Sequence, residues 1–185
     1  TAIVQARMGS SRLPGKVARE IIDKPMLAHI IIRLQCADTI DDIIIATSNK
    51  KSDNRVVEIA EKYGAGYYRG SEEDVFSRYL EAAKNNNSDI IIRITGDCPL
   101  IDPVTVNRVV VDYMRSDYEY MRIDVGNSGY PRGLDVEVFH YSTLLKVDKY
   151  LNKIMKKGKS IAAYREHVTL FIYQNQDKFK IGYHY

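Results

Sequence analysis

The sequence predicts an α/β domain: a mainly parallel sheet with helices packed on both of its faces. Three observations predict it. Short β-branched runs alternate with stretches of helical apolar spacing, the order that strand–helix–strand units produce. The clearest strands, at 43–47 and 89–95, are apolar through most of their length, as strands covered on both faces must be. The chain of 185 residues, 45% apolar and 28% charged, has the size and composition of one globular domain.

Residues 2–6 read as a short buried strand that breaks into a Gly/Ser/Pro loop at 9–16. A helix over 26–38 follows from the spacing of Leu27, Ile30, Ile31 and Leu34. The run 43–47 is a second strand, ended by Ser48 and Asn49. Ser52-Asp53 is placed to cap a helix carrying Val56, Val57, Ile59 and Ala60 as far as Gly64. A third strand at 66–69 leads to the acidic turn Ser71-Glu72-Glu73-Asp74, which opens a helix bearing Phe76, Tyr79, Leu80 and Ala83. Asn85-Asn86-Asn87 ends that helix, and the strand at 89–95 then stops abruptly at Gly96-Asp97-Cys98-Pro99. Asp102 as N-cap, with Pro103 at the first helical position, starts a helix over 104–115. The second half is less regular, with strands at 118–122, 136–140 and 179–183 and helices at 142–156 and 164–174. Lys146, Lys149, Lys153, Lys156, Lys157 and Lys159 read as the solvated face of a helix.

Several function classes fall away on composition. The longest apolar runs are far shorter than the ~20 residues of a membrane span. Two cysteines, Cys36 and Cys98, make no disulfide framework, so a reduced, cytosolic setting is the expectation. Twenty-seven basic against 24 acidic residues leave a net charge of +3, too little to argue for nucleic acid. The chain begins at Thr1 rather than Met, without the basic start and long apolar stretch of a secretory signal.

Ligands of open α/β sheets bind beyond the carboxyl ends of the strands, and two such ends carry unusual chemistry. The loop Gln5-Ala6-Arg7-Met8-Gly9-Ser10-Ser11-Arg12-Leu13-Pro14-Gly15-Lys16 gathers three cations, two hydroxyls and two glycines, a donor set suited to phosphate oxygens. It is not a Walker A loop, because five residues separate Gly9 from Gly15 and Val17 stands where a hydroxyl should follow the lysine. The second end is Gly96-Asp97-Cys98-Pro99, where a carboxylate at a strand tip can hold Mg²⁺ beside phosphate oxygens. A third stretch, 130–139, alternates so that Asp135 and Glu137 share one strand face opposite Val136 and Val138. Such a pair can hold sugar hydroxyls, act on a proton, or simply face water. Arg165-Glu166-His167 carries little in isolation, and Cys98 reads as a small buried residue behind the Asp97 loop.

Together the stretches IVQARMGSSRLPGK, DDIIIATS, RGSEEDVFSRY, RITGDCPLIDP, YPRGLDVEVF and REHVT resemble the spore coat polysaccharide biosynthesis protein F family of cytidylyltransferases, relatives of the CMP-KDO and CMP-sialic acid synthetases. The resemblance spans nearly the whole chain. It implies a nucleotide-diphospho-sugar transferase fold, a Rossmann-like α/β/α sandwich, as a single nucleotidyltransferase domain over 1–185. It also implies Mg²⁺-dependent transfer of a cytidylyl group from CTP to a sugar used in surface glycans. By position, Ala6, Arg7, Gly9, Ser10, Ser11, Arg12 and Lys16 would hold the triphosphate, with Arg12, Lys16 and Asp97 catalytic and Asp97 binding the metal. Thr47, Ser48, Ser71 and Arg78 would read base and ribose. Arg132, Asp135, Glu137, Arg165, Glu166 and His167 would face the acceptor. The expected partners are CTP and an acidic or modified sugar, in the cytoplasm, with no nucleic acid or membrane and a homodimer left open. Family members continue into a Thr-Val-Asp-Thr segment that supplies a second metal carboxylate, so a C-terminal truncation is expected at Tyr185. Two rival readings are a non-catalytic nucleotide-binding module and a glycosyltransferase of related fold. The latter predicts an Asp-x-Asp motif that Asp97-Cys98-Pro99 lacks.

Overall fold

A computed structural model describes residues 1–10 and 13–185. In chain order its elements are β1 (Ala2–Gln5), β2 (Glu20–Ile21), β3 (Lys24–Pro25), α1 (Met26–Leu34), β4 (Ile43–Ser48), α2 (Asn54–Lys62), β5 (Gly66–Gly70), α3 (Val75–Asn85), β6 (Ile90–Thr95), α4 (Pro103–Met114), β7 (Tyr120–Ile123), β8 (Glu137–His140), α5 (Tyr141–Lys156), α6 (Ala162–Glu166), α7 (Leu170–Gln174) and β9 (Ile181–His184). Strands pair in the order β5-β4-β1-β6-β8-β7-β9, and β2 with β3 forms a separate small hairpin. β1 runs parallel to both β4 and β6, which buries Ala2, Ile3 and Val4 completely and explains their unbroken apolar run. β8 is antiparallel to β6 and β7, while β7 and β9 are parallel.

Each face of the sheet carries a core. Val4, Ile92, Ile94 and Val138 pack under α1, α2 and α4 through Leu27, Ile31, Ile59, Val106 and Val110. Ile3, Ile91, Tyr120 and Phe139 pack on the other face under α3 and α5 through Phe76, Tyr79, Leu144 and Val147. The result is a Rossmann-like α/β/α sandwich on a mainly parallel sheet, the expected class. The Tyr79 hydroxyl, fully buried, donates to the carbonyls of Ile3 and Ile94 at 3.2 and 3.4 Å, and burial pushes its pKa up to about 12.

The caps expected at α3 and α4 are present. Asp74 accepts from the Ser77 N–H at 2.8 Å, and Asp102 accepts from the Thr105 N–H at 2.8 Å and its hydroxyl at 2.7 Å. Other expectations need correction. α1 stops at Leu34, four residues early, because the chain tightens into turns and Thr39 is drawn to α4, donating its N–H and hydroxyl to Asn107 Oδ1. The single helix expected at 164–174 is two, α6 and α7, parted where β-branched Val168 and Thr169 turn inward and are buried. Asp53 precedes α2 as expected but makes no capping bond; its carboxylate is engaged elsewhere.

Candidate functional site

β1 and β6 end side by side, with Gln5 opposite Thr95. The Gly96 N–H donates to the Gln5 carbonyl at 2.9 Å, and a Cβ at Gly96 would lie 2.6 Å from that oxygen and 3.1 Å from the Ala6 Cβ. Only glycine lets the two loops leave the sheet in contact. Gly15, at φ +70°, donates its N–H to the Met8 carbonyl at 2.8 Å and folds the first loop back on itself. That return delivers Lys16 to the second loop, where Nζ donates to Asp97 Oδ2 at 2.7 Å. Burial opposes ionisation of Asp97, but hydrogen bonds from Lys16 and Thr95 prevail and hold its carboxyl below the usual range. Around this pair lies a cleft of about 280 Å³ lined by Ala6, Arg7, Gly9, Ser10, Lys16 and Asp97, among others. Six residues expected at the triphosphate or metal are thus brought together. Ser11 and Arg12 lie outside the described residues.

Asp53, which sequence reasoning took for a helix cap, braces this loop. It is 1% exposed, and its Oδ1 accepts from the Met8 N–H at 2.7 Å. Oδ2 accepts from the Ser48 N–H at 3.2 Å and from the Ser48 hydroxyl. Ser48 Oγ also accepts from the Lys50 N–H at 3.2 Å, so this fully buried side chain holds the end of β4. Glu72 pairs with Arg7 at 3.3 Å and with Lys50, neutralising cations at the rim of the cleft. Ser71 Oγ accepts from the Asp74 N–H at 3.1 Å.

Two expected nucleotide residues are buried without a polar partner among the described residues: Thr47 Oγ1, and Nε and Nη1 of Arg78. Arg78 is 2% exposed, and its desolvation pulls its pKa below the ordinary arginine value. Buried polar groups are seldom left this way, and an orphaned guanidinium beside a phosphate-type loop is suited to an anionic or carbonyl-bearing ligand.

A second cleft, of about 330 Å³, is lined by Arg122, Arg132, Asp135 and Glu137 among others. The pairing of β6, β8 and β7 sets Arg93, Glu137 and Arg122 in one row across the sheet. Arg93 donates to Glu137 Oε1 at 2.7 Å and to Gln5 Oε1 at 3.0 Å, while Glu137 Oε2 and Arg122 Nε have no partner among the described residues. Burial opposes the charge of Arg93, but Glu137 beside it outweighs that and raises its pKa. Asp135 Oδ2 accepts from the Gly133 N–H at 2.9 Å, and Val136 and Val138 are buried on the opposite face, the alternation expected. Arg93 and Arg122 were missed by sequence reasoning. Their signal was available, since a cation within an otherwise apolar strand requires a carboxylate nearby.

Arg165, Glu166 and His167 do not join that cleft. Arg165 pairs with Asp148 of α5 at 3.0 Å and with Asp74 at 3.8 Å, and its guanidinium lies 5.2 Å from the centre of the Phe76 ring. Arg165 and Glu166 line a third cavity of about 550 Å³ together with Arg7 and Ser71. His167 is exposed at the end of α6. The expected acceptor residues are therefore divided between two cavities, with His167 lining neither.

Cys98 is buried with Sγ 3.1 Å from the Thr95 hydroxyl, and burial raises its pKa, so it is an inert filler behind Asp97. Among the described residues no three His, Cys, Asp or Glu side chains gather as a metal cluster, and no helix is long and apolar enough to cross a membrane. One half-exposed carboxylate beside a phosphate-type loop fits Mg²⁺, which is commonly held by one or two carboxylates plus substrate phosphates.

Comparison with known proteins gives a family match over residues 1–185, to the model described as Cytidylyltransferase. The spore coat polysaccharide biosynthesis protein of Bacillus subtilis is 30% identical over 187 residues, spanning 98% of this chain and 72% of that protein. The 3-deoxy-manno-octulosonate cytidylyltransferase of Geobacter metallireducens is 37% identical over 112 residues, 60% of this chain and 42% of that one. Among solved structures, a cytidylyltransferase from Leptospira borgpetersenii superposes with a TM-score of 0.90 at 34% identity, covering 99% of this chain and 74% of its own.

Proposed function

The chain belongs to the cytidylyltransferase family and is a nucleotidyltransferase, and from that premise we propose that it transfers the cytidylyl group of CTP to a hydroxyl of an acidic sugar. The hydroxyl gives up its proton to solvent, its oxygen bonds to the α-phosphorus, the bond from that phosphorus to the oxygen bridging to the β-phosphate breaks, and pyrophosphate leaves. We take residues 1–185 to act as one such domain, supplying CMP-sugar for surface polysaccharide or glycan assembly in the cytoplasm. The observation that carries the reading is the Lys16–Asp97 pair across the ends of β1 and β6, set in a cleft of about 280 Å³ with Arg7 and Ser10.

Lys16 neutralises charge that grows on the departing pyrophosphate, with Arg7 holding the outer phosphates. Asp97 is the carboxylate for Mg²⁺, which when bound supplies further neutralisation of the phosphate oxygens. Arg78, whose Nε and Nη1 lack a partner among the described residues, and Thr47, whose Oγ1 likewise lacks one, are the groups we assign to the nucleoside. Arg132, Asp135 and Glu137 orient the acceptor in the adjoining cleft, so that catalysis is mostly alignment and charge stabilisation.

The test is incubation with each nucleoside triphosphate, Mg²⁺ and a panel of acidic sugars, with pyrophosphate measured. The expected result is release with CTP that depends on both sugar and metal. CTP binding without pyrophosphate release from any sugar would leave a nucleotide-binding module, and turnover of a finished nucleotide sugar alone would make it a glycosyltransferase.

A further inference from the structure

Residues 124–136 join β7 to β8 and carry Arg132 and Asp135 to the 330 Å³ cleft. Val125, Tyr130 and Val136 pack on the core beneath the loop and the Asp124 N–H donates to the His184 carbonyl at 3.4 Å, while the hydrogen bonds between these anchors are mostly local. Asp124 O accepts from the N–H groups of Asn127 and Ser128 at 3.0 and 2.8 Å, and Asp124 Oδ1 accepts from Gly126 at 3.3 Å. Ser128 Oγ accepts from the Tyr130 N–H at 3.3 Å, and Asp135 Oδ2 from Gly133 at 2.9 Å. Among the described residues, one hydrogen bond reaches from 125–135 to a distant element: the Tyr130 hydroxyl meets His184 Nε2 of β9 at 3.4 Å.

His184 is itself fixed. It is 8% exposed, and its Nδ1 lies 2.7 Å from Asp112 Oδ2 of α4. With Nδ1–H donating to Asp112, Nε2 carries the lone pair that accepts the Tyr130 O–H. Two glycines of positive φ flank the contact, Gly129 at +76° and Gly133 at +96°, and at neither would a Cβ meet anything within 4 Å. Residues 130–132 therefore sit between two unhindered pivots, with one hydrogen bond tethering them to a distant element at their first residue, Tyr130, whose ring also packs on the core. The tether leads through β9 to a core helix, an arrangement that loop packing alone does not need.

We propose that Asp112, His184 and Tyr130 form a latch that orders this flap and sets Arg132 and Asp135 against the acceptor. His184 and Tyr130 are thus positioning residues for the acceptor, acting without touching the reacting atoms. The proposal rests on the assignment of the 330 Å³ cleft to the acceptor. It predicts that acceptor binding depends on a hydroxyl group and a ring nitrogen whose nearest role is to hold a loop.

Two measurements on the whole chain test it: hydrogen–deuterium exchange, and steady-state kinetics in both substrates. The variants are Tyr130→Phe, which keeps the ring and removes only the hydroxyl, and His184→Gln. In both variants exchange across 125–135 should quicken about fivefold, the worth of one net hydrogen bond, with the sheet unchanged. The KM for the acceptor should rise about five- to tenfold while kcat and the KM for CTP stay within twofold. Unchanged exchange in Tyr130→Phe overturns the latch, whatever the substrate. Faster exchange with an unmoved acceptor KM overturns the positioning role. If parent protein releases no pyrophosphate with any acidic sugar, the proposed reaction is what fails, and exchange alone still decides the latch.

Discussion

Lys16→Ala separates what Lys16 does for the fold from what it does for the reaction. In the folded chain Nζ lies 2.7 Å from Asp97 Oδ2, with side-chain exposures of 23% and 44%. A pair this open to water contributes roughly 0–1 kcal/mol to stability, so the melting temperature should fall by no more than about 2–4 °C. Loss of a group aimed at developing charge instead costs about 10²–10³ in rate, or about 2.7–4 kcal/mol. The kinetic effect should therefore exceed the structural one severalfold, and steady-state pyrophosphate release beside a thermal melt measures both. The substitution also reports on Asp97, whose carboxyl the Lys16 hydrogen bond helps hold below its ordinary value of 3.8 against the effect of burial. The stabilisation from this depressed pKa is complete above the unfolded value and lost as pH falls through the folded one. Removing Lys16 should accordingly move the Asp97 titration upward, visible by carbon NMR of the labelled carboxyl. Turnover within threefold of the parent, or a rate loss explained by a melting shift of tens of degrees, would refute the assignment of Lys16 to pyrophosphate.

Three further substitutions probe the site. Asp97→Asn should abolish Mg²⁺-dependent turnover while leaving metal-free CTP binding nearly intact, because the amide keeps the shape and loses the charge a hard cation needs; calorimetric titration of CTP with and without Mg²⁺ checks it. Gly96→Ala should cost about 1–3 kcal/mol in a urea melt, since the new Cβ would sit 2.6 Å from the Gln5 carbonyl oxygen and must push β1 and β6 apart. Asp53→Ala should cost about 3 kcal/mol, by stranding the buried N–H groups of Met8 and Ser48, and should raise the KM for CTP as the phosphate loop loosens; equal KM values would show that Met8 does not need this anchor.

What was legible in the sequence is what neighbouring residues decide. Asp102-Pro103 and Ser71–Asp74 announce helix starts because a cap acts within three residues of itself. The strand end at Thr95 was readable for the same reason, whereas the contact of Lys16 with Asp97, 81 residues apart, was not. Asp53 was misread because its partner Met8 lies 45 residues away, and an aspartate before a helix looks like a cap whatever it holds. Arg165 is named for the acceptor by resemblance to a motif, and its ion pair with Asp148, 17 residues earlier, left no signal in the sequence. The reversal of β8 left no local trace, because Glu137–His140 alternates in the same way whichever direction it runs. The Arg93–Glu137 pair and the Tyr130–His184 contact, 44 and 54 residues apart, both depend on that reversal or on the sheet edge beyond it.

The direction of β8 also divides the molecule into a half that tolerates change and a half that resists it. Lys16 and Asp97 follow strands gripped by neighbours on both sides, so a residue added to either loop would displace a group whose place is set by the sheet. Arg132 and Asp135 come before their strand, on a span that enters the sheet only at Glu137. Lengthening that span by a residue or two would leave the pairing of β8 with β6 and β7 undisturbed. If the 330 Å³ cleft is the acceptor site as proposed, a library confined to 126–129 and 131–135 would vary the acceptor while keeping Val125 and Tyr130, which pack on the core, in place.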